Sequence, residues 1–536
     1  MRLSRSYGTA TAATVAALIT IALAPPAAAA APSHPGDAGL SPRTQFVMAP
    51  DGSSGLTTTG AGIPNIDSVK ATIRAYYNAD STGIANKTSS PYITEIKQIE
   101  AAALARLPRV RPGAKKAIVL DSDDTTLWTY DMEDNAMHFN FDPVLQNDPW
   151  VQQGLFPATP GMVDFVAAVV AKGYTVFGLT GRSAGQKDAT LANLAKVGYR
   201  GFTPQHFFTK WADGQQPSYV TCATAKCTTV EFKANTRKHI ERDLGYDVVL
   251  NVGDQFSDLQ GGYTDTNLKL PNPTYYLPSP DLPGLREPKL APRNHFTMKP
   301  DGSSGLTAGG EGIPNIDSVK ATIRAYYNAD ATGIANKTSS PYITEITRLT
   351  RQLTNRYVTE CRVLAYLGRK PAIVFDADDT TLWTYDMEDN AMHFNFDPQK
   401  QNDDWVIPGR FPATPGMVQL VNAVGRAGCT VVGLTGRNDA QKDATLNNLA
   451  KVGYTQFTAA NYYTKFIKGT TPPAYFDGTP CQTGSCTTIQ YKSAVRAHVQ
   501  AQGYRIIANF GDQFSDLIGG YSATTVKLPN PTYYLP

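Results

Sequence analysis

The sequence predicts an α/β protein made of two similar domains in tandem, each a parallel sheet flanked by helices with a small cap. Two observations predict this fold class. A long stretch that begins at Asp51 recurs with few changes from Asp301. Within each copy, short and continuously apolar runs of strand length alternate with helical patterns. Continuously apolar strands are typical of a parallel sheet that is covered on both faces.

The repeat sets the predicted domain boundaries. DGSSGLTTTGAGIPNIDSVKATIRAYYNAD in the first copy matches DGSSGLTAGGEGIPNIDSVKATIRAYYNAD in the second, and both copies end in LPNPTYYLP. Each copy is long enough to bury its own hydrophobic core. The stretch SPDLPGLREPKLAPRN between them is Pro-rich and aperiodic, which is typical of a linker. We therefore predict a first domain over residues 44–278, a linker over residues 279–293 and a second domain over residues 294–536.

The elements of the first copy follow one another in a regular order. KAIVLD (116–121), TVFGLT (175–180) and DVVLNVGD (247–254) have the length and apolar character of buried strands. TPGMVDFVAAVVAKG lies between the first two, and its Thr159 is in position to cap a helix. SAGQKDATLANLAKVG and TTVEFKANTRKHIERDLG predict two further helices, and the second opens with a capping box from Thr228 to Glu231.

The N-terminus has the order of a secretory signal peptide. Two arginines precede an apolar run, and small residues follow the run as far as Ala31. The run is too short to cross a membrane comfortably, and paired prolines end it. We predict a signal peptide over residues 1–31 and a secreted, extracellular protein without a membrane segment after cleavage.

The six cysteines agree with an oxidising compartment. Four of them form two closely spaced pairs, which are Cys222 with Cys227 and Cys481 with Cys486. We predict two short disulfide loops, because a metal site would need further soft ligands at a Cys/His spacing that the sequence lacks. The remaining two, Cys361 and Cys429, occur in the second copy and are either buried and free or paired with each other.

Charge and composition argue against several function classes. The chain has 42% hydrophobic residues, 18% charged residues and a formal net charge of +3, as in ordinary globular protein. A charge so close to neutral gives no reason to expect nucleic acid or an anionic membrane as a partner. The G-x-x-x-x-G-K-[ST] loop of nucleotide triphosphatases is absent. The oligomeric state stays open.

Polar residues follow each predicted strand at its carboxyl end, where parallel sheets bind their ligands. In the first copy they are Asp121, Asp123, Thr125, Thr180, Arg182, Asp254 and Asp258, with Lys233 early in the preceding helix. The second copy repeats the set as Asp376, Asp378, Thr380, Thr435, Lys492, Asp512 and Asp516. One such motif alone is typical of a solvated turn, but four motifs in order, found twice, indicate a site.

The ordered series D-x-D-x-T, T-G-R, Lys and G-D-x-x-x-D resembles the four motifs of haloacid dehalogenase-like (HAD) phosphohydrolases. The flanking DDTTLWTYDME is similar to the secreted acid phosphatase branch, which includes class B bacterial acid phosphatases and plant vegetative storage proteins. The resemblance covers most of each copy. It implies two tandem Rossmann-like domains and a Mg²⁺-dependent phosphomonoesterase with one Mg²⁺ per domain, acting on small phosphate monoesters at two complete sites.

The resemblance also implies catalytic roles. Asp121 would attack phosphorus and form an aspartyl-phosphate, and Asp123 would protonate the leaving group and then activate water. Thr180 would donate to a phosphoryl oxygen, and Lys233 would neutralise developing charge. The corresponding residues of the second copy are Asp376, Asp378, Thr435 and Lys492.

The implied metal ligands are hard oxygen donors, which suit Mg²⁺. Asp121, the main-chain carbonyl of Asp123, and Asp254 would hold the ion. Asp258 would help to bind it or would orient Lys233. The corresponding residues of the second copy are Asp376, Asp378, Asp512 and Asp516.

The segment WTYDMEDNAMHFNFDP after the first motif is predicted to form the cap. Its aromatic residues Trp128, Tyr130, Phe139 and Phe141 either stack on an aromatic leaving group or pack the cap itself. His138 either acts at the site or makes a structural hydrogen bond.

Two other functions are compatible with the same fold. One is phosphotransfer from the aspartyl-phosphate to an alcohol. The other, from a different class, is a storage or phosphate-binding protein without activity. Such a protein would be expected to lose its nucleophile, whereas Asp121 and Asp376 are both present.

Overall fold

The computed structural model describes residues 54–278, apart from residues 213 and 225, and residues 304–535. We call residues 54–278 the first half and residues 304–535 the second half. The predicted signal peptide and linker lie outside the described residues, as do the predicted starts of both domains. Within the described ranges, no helix is both long and apolar enough to cross a membrane.

Each half is built on a five-stranded sheet in which all neighbouring strands are parallel. The first sheet has the order β3-β2-β1-β4-β5 and the second the order β10-β9-β6-β7-β8. The strands of the first half are β1 (Lys116–Leu120), β2 (Thr175–Ser183), β3 (Phe207–Lys210), β4 (Asp247–Gly253) and β5 (Thr266–Lys269). Those of the second half are β6 (Pro371–Phe375), β7 (Thr430–Asn438), β8 (Tyr462–Lys465), β9 (Arg505–Gly511) and β10 (Thr525–Lys527). The predicted fold class, two Rossmann-like α/β units in tandem, is confirmed.

Helices flank both sheets. Those of the first half are α1 (Ile66–Tyr76), α2 (Pro91–Arg106), α3 (Pro143–Leu145), α4 (Met162–Ala171), α5 (Lys187–Lys196), α6 (Thr229–Arg242) and α7 (Phe256–Leu259). Those of the second half are α8 (Ile316–Tyr327), α9 (Pro341–Tyr366), α10 (Pro398–Lys400), α11 (Met417–Arg426), α12 (Lys442–Lys451), α13 (Thr488–Ala501) and α14 (Phe514–Leu517). The cap segments contain short π-helical turns, at Met132–Ala136 and Gln146–Val151, and at Met387–Ala391 and Gln401–Val406.

The central strand β1 shows why these sheets are buried on both faces. Alternate residues of a strand point to opposite faces. Ile118 and Leu120 belong to one apolar cluster, whereas Ala117 and Val119 belong to another on the opposite face. Both faces are therefore covered by packed side chains, and this leaves the carboxyl edge of the sheet as the place for polar groups.

The helix starts test two sequence predictions. The capping box of α6 is present, because the Thr228 hydroxyl accepts from the Glu231 amide and the Glu231 carboxylate accepts from the Thr228 amide. The cap predicted at Thr159 is wrong, because α4 starts after Gly161, whose φ is 85°. The carboxylate of Glu100 lies so close to Gly161 that a Cβ atom there would sit 2.0 Å from Glu100 Oε2. The left-handed backbone favours glycine here, and the Glu100 carboxylate would have to move to admit a Cβ atom.

The two halves share an interface. Helices α1 and α8 contact each other, and the largest apolar cluster continues through both halves. At the start of α1, the Ile66 amide donates to the Pro531 carbonyl of the second half at 2.9 Å. In the reciprocal contact at the start of α8, the Ile316 amide donates to the Pro273 carbonyl at 2.9 Å. Each copy therefore has an apolar cluster of its own on one face of its sheet, whereas the other face of each sheet and the apolar faces of α1 and α8 belong to the shared cluster.

Candidate active site

The carboxyl edge of each sheet brings together a lysine and a set of aspartates. Lys233 Nζ of α6 lies 2.7 Å from Asp121 Oδ1, which follows β1, and 2.5 Å from Asp258 Oδ1 in α7. All three side chains are almost completely buried. Burial by itself would lower the pKa of Lys233, but the two carboxylates outweigh it and hold that pKa above its ordinary value. The lysine is therefore a fixed positive charge at this edge.

The same arrangement recurs in the second half. Lys492 Nζ lies 2.6 Å from Asp376 Oδ1 and 2.6 Å from Asp516 Oδ1. The corresponding distances in the two halves agree within about 0.1 Å, as expected for buried charges that must be paired closely to be tolerated.

A third buried aspartate completes an acidic cluster that suits a divalent cation. Carboxylate oxygens of Asp121, Asp254 and Asp258 all lie within 4.8 Å of one another. Asp254 Oδ1 is buried without a hydrogen-bond partner, which costs free energy unless a ligand satisfies it. Burial raises the pKa of Asp254 to about 6, and the Asp258 carboxylate adds to the rise. One ammonium group cannot balance three carboxylates, so the cluster fits a hard cation such as Mg²⁺.

The second half has the same cluster, formed by Asp376, Asp512 and Asp516. Asp512 Oδ1 is again buried and without a partner. Burial raises the pKa of Asp512 to about 6. The chemistry of the donor set therefore fits one divalent ion in each half.

The other oxygen of Asp254 is held by residues that sequence reasoning missed. Asp254 Oδ2 accepts from Gln255 Nε2, Asn272 Nδ2 and the Tyr275 hydroxyl, each at 2.8 Å. Three donors on one oxygen fix the carboxylate so that its partnerless oxygen points in one direction. Asn272 and Tyr275 belong to the duplicated LPNPTYYLP, and its survival in both copies was the signal for a role beyond marking the domain end.

Asp123 lies at the opening of the site and pairs with an arginine. Arg182 Nη2 is 2.6 Å from Asp123 Oδ1, and Arg182 Nε is 3.2 Å from Asp123 Oδ2. This two-point contact fixes the orientation of the carboxylate. Thr180 is fully buried, and its hydroxyl oxygen accepts from the Arg182 amide at 3.2 Å, which leaves the hydroxyl hydrogen available to a ligand. The sequence indicated Arg182 as part of a motif but assigned it no partner.

Asp124, which the sequence did not single out, holds the loop that follows β1 in place. Its φ is 45°, and its carboxylate accepts from the amide and the hydroxyl of Thr129 and from Asn272 Nδ2. Burial raises the pKa of Asp124 to about 8, and repulsion from Asp254 adds to this. Asp124 thus ties the first motif to the cap and to the segment that ends the first half.

The cap aromatics are mostly structural. Trp128, Tyr130 and Phe139 are buried, and Tyr130 stacks on Tyr77 with ring centroids 3.9 Å apart. Phe141 differs, because it is 62% exposed and lines the cavity. Of the four aromatic residues, three therefore pack the cap, and Phe141 faces the site.

His138 lies on the surface of the cap rather than in the cavity lining. Its side chain is exposed, and its φ is 49°. Its main-chain carbonyl accepts from Asn395 Nδ2 of the second half at 3.1 Å. The residue therefore contributes to the contact between the halves through its backbone.

A cavity opens onto each acidic cluster. The first has a volume of about 350 Å³ and the second about 500 Å³. The charged end of the first is formed by Asp121, Asp123, Lys233 and Arg182 with their partners. Each cavity therefore combines a charged end, suited to a phosphate group, with further lining residues that can contact the rest of a substrate.

Comparison with protein families assigns the chain. Residues 57–278 and residues 319–536 each match the model of the HAD superfamily, subfamily IIIB (acid phosphatase). Because the matches cover most of the chain, the protein belongs to this family, in two consecutive copies. The resemblance inferred from the four motifs is thereby confirmed.

The individual relatives match over part of their length. The stem 28 kDa glycoprotein of Glycine max is 34% identical over 135 residues, which are 25% of this chain and 47% of that protein. Acid phosphatase 1 of Solanum lycopersicum is 30% identical over 164 residues, which are 30% of this chain and 58% of that protein. The chain thus spans about half the length of the curated relatives that it matches.

A solved structure, the class C acid phosphatase from Bacillus anthracis, matches with 21% identity and a TM-score of 0.26. The match covers 35% of this chain and 80% of that one. So low a score adds nothing to the fold assignment, which rests on the two sheets and the family match.

Proposed function

We propose that the protein is a Mg²⁺-dependent phosphomonoesterase, an acid phosphatase, with one complete active site in each half. The observation that carries the proposal is the lysine bridge between two buried aspartates beside a third aspartate with a partnerless oxygen. This arrangement occurs in both halves. Family membership and a relative named acid phosphatase agree with it.

The residues at the charged end suit a two-step transfer. An Asp121 oxygen forms a bond to phosphorus while the bond to the ester oxygen breaks, and Asp123 gives its proton to the leaving alkoxide. Water then attacks phosphorus, Asp123 accepts its proton, and the Asp121–phosphorus bond breaks to release inorganic phosphate. Mg²⁺ supplies positive charge when it is bound by Asp121, Asp254 and the main-chain carbonyl of Asp123.

Other groups keep the reacting atoms in place. Lys233 balances charge at Asp121, and its second contact supports a role for Asp258 in orienting it. Arg182 aims the Asp123 carboxylate toward the cavity opening. The Thr180 hydroxyl hydrogen is free to donate to a phosphoryl oxygen. In the second half, Asp376, Asp378, Thr435 and Lys492 take the corresponding roles.

We also propose that the chain is exported and that its domains span residues 44–278 and 294–536, joined by a linker over residues 279–293. Three disulfides support an oxidising destination, since such bonds are rare in the cytosol. The two predicted short pairs are formed, and Cys361 and Cys429 are bonded to each other. N-terminal sequencing of secreted protein should begin near residue 32, and an intact Met1 would contradict export by this route.

A storage or phosphate-binding function remains the alternative from another class, and phosphotransfer to an alcohol is the nearest chemical alternative. The intact lysine–aspartate geometry in both halves favours catalysis over storage. Adding an alcohol to the assay and measuring the acceptor phosphate separates transfer from hydrolysis.

The direct test is phosphate release from para-nitrophenyl phosphate by the full chain. We expect excess EDTA to abolish release and Mg²⁺ to restore it, because the carboxylate cluster needs a cation to accept a dianionic ester. The Asp121→Asn/Asp376→Asn double variant is the matched control, and it should be inactive with Mg²⁺ present. Full activity in excess EDTA would contradict the metal dependence, and no release under any condition would favour the storage alternative.

A further inference from the structure

The start of a helix from each half lies against the active site of the other half. Asn315 caps α8 of the second half, and its Nδ2 donates to the main-chain carbonyls of Asn272 at 3.1 Å and Tyr275 at 2.7 Å. The side chains of these same two residues hold Asp254 Oδ2. A residue of the second half therefore holds in place the segment that orients an acid of the first site.

Two residues after Asn315, in the first turn of α8, a carboxylate enters the cavity of the first half. Asp317 lines that cavity together with Asp121 and Lys233, and its Oδ2 accepts from the Tyr276 amide at 3.2 Å. Its neighbour Lys320 lies 3.5 Å from Asp317 Oδ1, but the Lys320 side chain is 7% exposed and that of Asp317 is 37% exposed. A substrate in this cavity therefore faces the carboxylate rather than the ammonium group.

The second site receives the mirror arrangement from the first half. Asp67 of α1 lines the second cavity, and its Oδ2 accepts from the Tyr534 amide at 3.2 Å. Asn65 caps α1 and donates to the main-chain carbonyls of Asn530 at 3.2 Å and Tyr533 at 2.7 Å. Because each half makes the same contacts with the site of the other, these contacts are a regular feature of the fold rather than a chance arrangement.

The charges of the other residues that line the first cavity determine which leaving groups Asp317 can favour. Among the described residues that line the first cavity, the basic side chains are Arg182 and Lys233, and both are ion-paired at the charged end. The rest of the lining includes Asp317, Phe141, Glu133 and amide side chains, and burial raises the pKa of Glu133 well above its ordinary value, so Asp317 carries the negative charge there. A leaving group with a positive charge gains attraction here, and one with a further negative charge meets repulsion.

We propose that each active site is shared between the halves, with a carboxylate from the other half as the specificity-determining residue. Asp317 acts at the first site and Asp67 at the second, and each favours phosphate monoesters of amino alcohols over those of hydroxy acids. The proposal rests on the phosphatase function above and names the class of leaving group that the site accepts.

Full chains with one silenced site test the proposal. In an Asp376→Asn chain, turnover comes from the first site, and kcat/KM is measured for ethanolamine phosphate and for phosphoglycolate. We expect Asp317→Asn to lower the ratio of these two values about fivefold, since neutralising a partly hydrated charge a few ångströms away changes binding by about 1 kcal/mol. Asp67→Asn should leave the ratio of the first site as it was. In an Asp121→Asn chain the two substitutions should exchange their effects.

The crossover pattern decides the outcome. Equal effects of Asp317→Asn and Asp67→Asn in both backgrounds, or no change of the ratio in either, would overturn the shared site. If neither background hydrolyses any monoester, the phosphatase proposal itself has failed. In that case calorimetry tests whether Asp67 and Asp317 select the ligand. The affinities of aminoethylphosphonate and of phosphonoacetate are measured for the wild-type chain and for Asp67→Asn/Asp317→Asn. The ratio of the two affinities should fall in the double variant, and an unchanged ratio would overturn the proposal.

Discussion

The two halves place nearly the same charged groups inside different surroundings. The lysine–aspartate distances are 2.7 and 2.5 Å in one half and 2.6 and 2.6 Å in the other. Outside the sites, α2 ends at Arg106, whereas α9 of the second half continues to Tyr366. A disulfide joins Cys361 of that longer helix to Cys429, where the first half has Tyr174.

The difference shows which parts of the fold tolerate a change of residues or of helix length. A buried carboxylate must keep its cation partner within hydrogen-bond distance, because an unpaired buried charge is strongly destabilising. A helix on the outside of a sheet needs only an apolar face of the right shape, so it can lengthen or gain a disulfide. One position shows such a change. Beside the glycine that begins the following helix, α2 has Glu100 and α9 has Thr350.

The largest difference in stability should come from the extra disulfide. Its cysteines are 68 residues apart, and in the chain-entropy model a loop of this length contributes about 4 kcal/mol to the free energy of unfolding. Cys361→Ala/Cys429→Ala should therefore speed hydrogen exchange in β6 much more than in β1. Cys481→Ala/Cys486→Ala, which opens a loop with a separation of 5, is the control and should cost about 2 kcal/mol. Equal losses from the two pairs would contradict this account.

Glu100 should make the first half more sensitive to high pH. Burial raises the pKa of Glu100 to about 8, so the folded chain holds a proton that the unfolded chain has released above pH 4.5. Its contribution to stability is therefore greatest below pH 4.5 and falls as the pH rises toward 8. We expect Glu100→Thr to stabilise the first half by about 3 kcal/mol more at pH 7.5 than at pH 5, given about 1.4 kcal/mol per pKa unit.

Urea unfolding at the two pH values measures the effect of Glu100. Glu100→Gln, which has nearly the same shape and does not titrate, is the matched control and should remove the same pH dependence. A gain that is equal at both pH values would show that packing rather than ionisation distinguishes Glu100 from Thr350.

The smallest expected difference concerns one hydroxyl group. Tyr357 of α9 donates to Thr524 Oγ1 at 2.9 Å, and Thr524 donates in turn to the Ile507 carbonyl. In the first half, Thr266 makes the corresponding bond to the Val249 carbonyl. Tyr357→Phe should cost about 1 kcal/mol, which is the typical net value of one hydrogen bond, measured by urea unfolding. A loss as large as that from the disulfide would mean that Tyr357 supports the whole helix.

Sequence reasoning found the parts of the site that depend on local pattern. The apolar run before Asp121 and the capping box at Thr228 are determined within a few residues, and the structure confirms both. The fold class followed because strand and helix periods are local as well. The two short disulfide loops followed from their spacing.

What the sequence could not supply depends on distant contacts. Asn272 reaches Asp254 only because the segment that ends the first half returns to the edge of the sheet. Asp317 reaches the first cavity only because α8 packs on the other half, and a repeat by itself suggests separate units. The cap assigned to Thr159 failed because the helix starts after Gly161, whose backbone is left-handed.

The most direct test of two complete sites in one chain is the activity of three variants on para-nitrophenyl phosphate with Mg²⁺. Asp121→Asn and Asp376→Asn keep the size of each side chain and weaken the nucleophile, so each should silence the site of its own half and leave the other working. We expect both single variants to keep measurable activity and the double variant to keep almost none, with the two losses nearly additive. If either single variant is as inactive as the double, the two halves do not hold two independent nucleophiles, and the account of two complete sites is wrong.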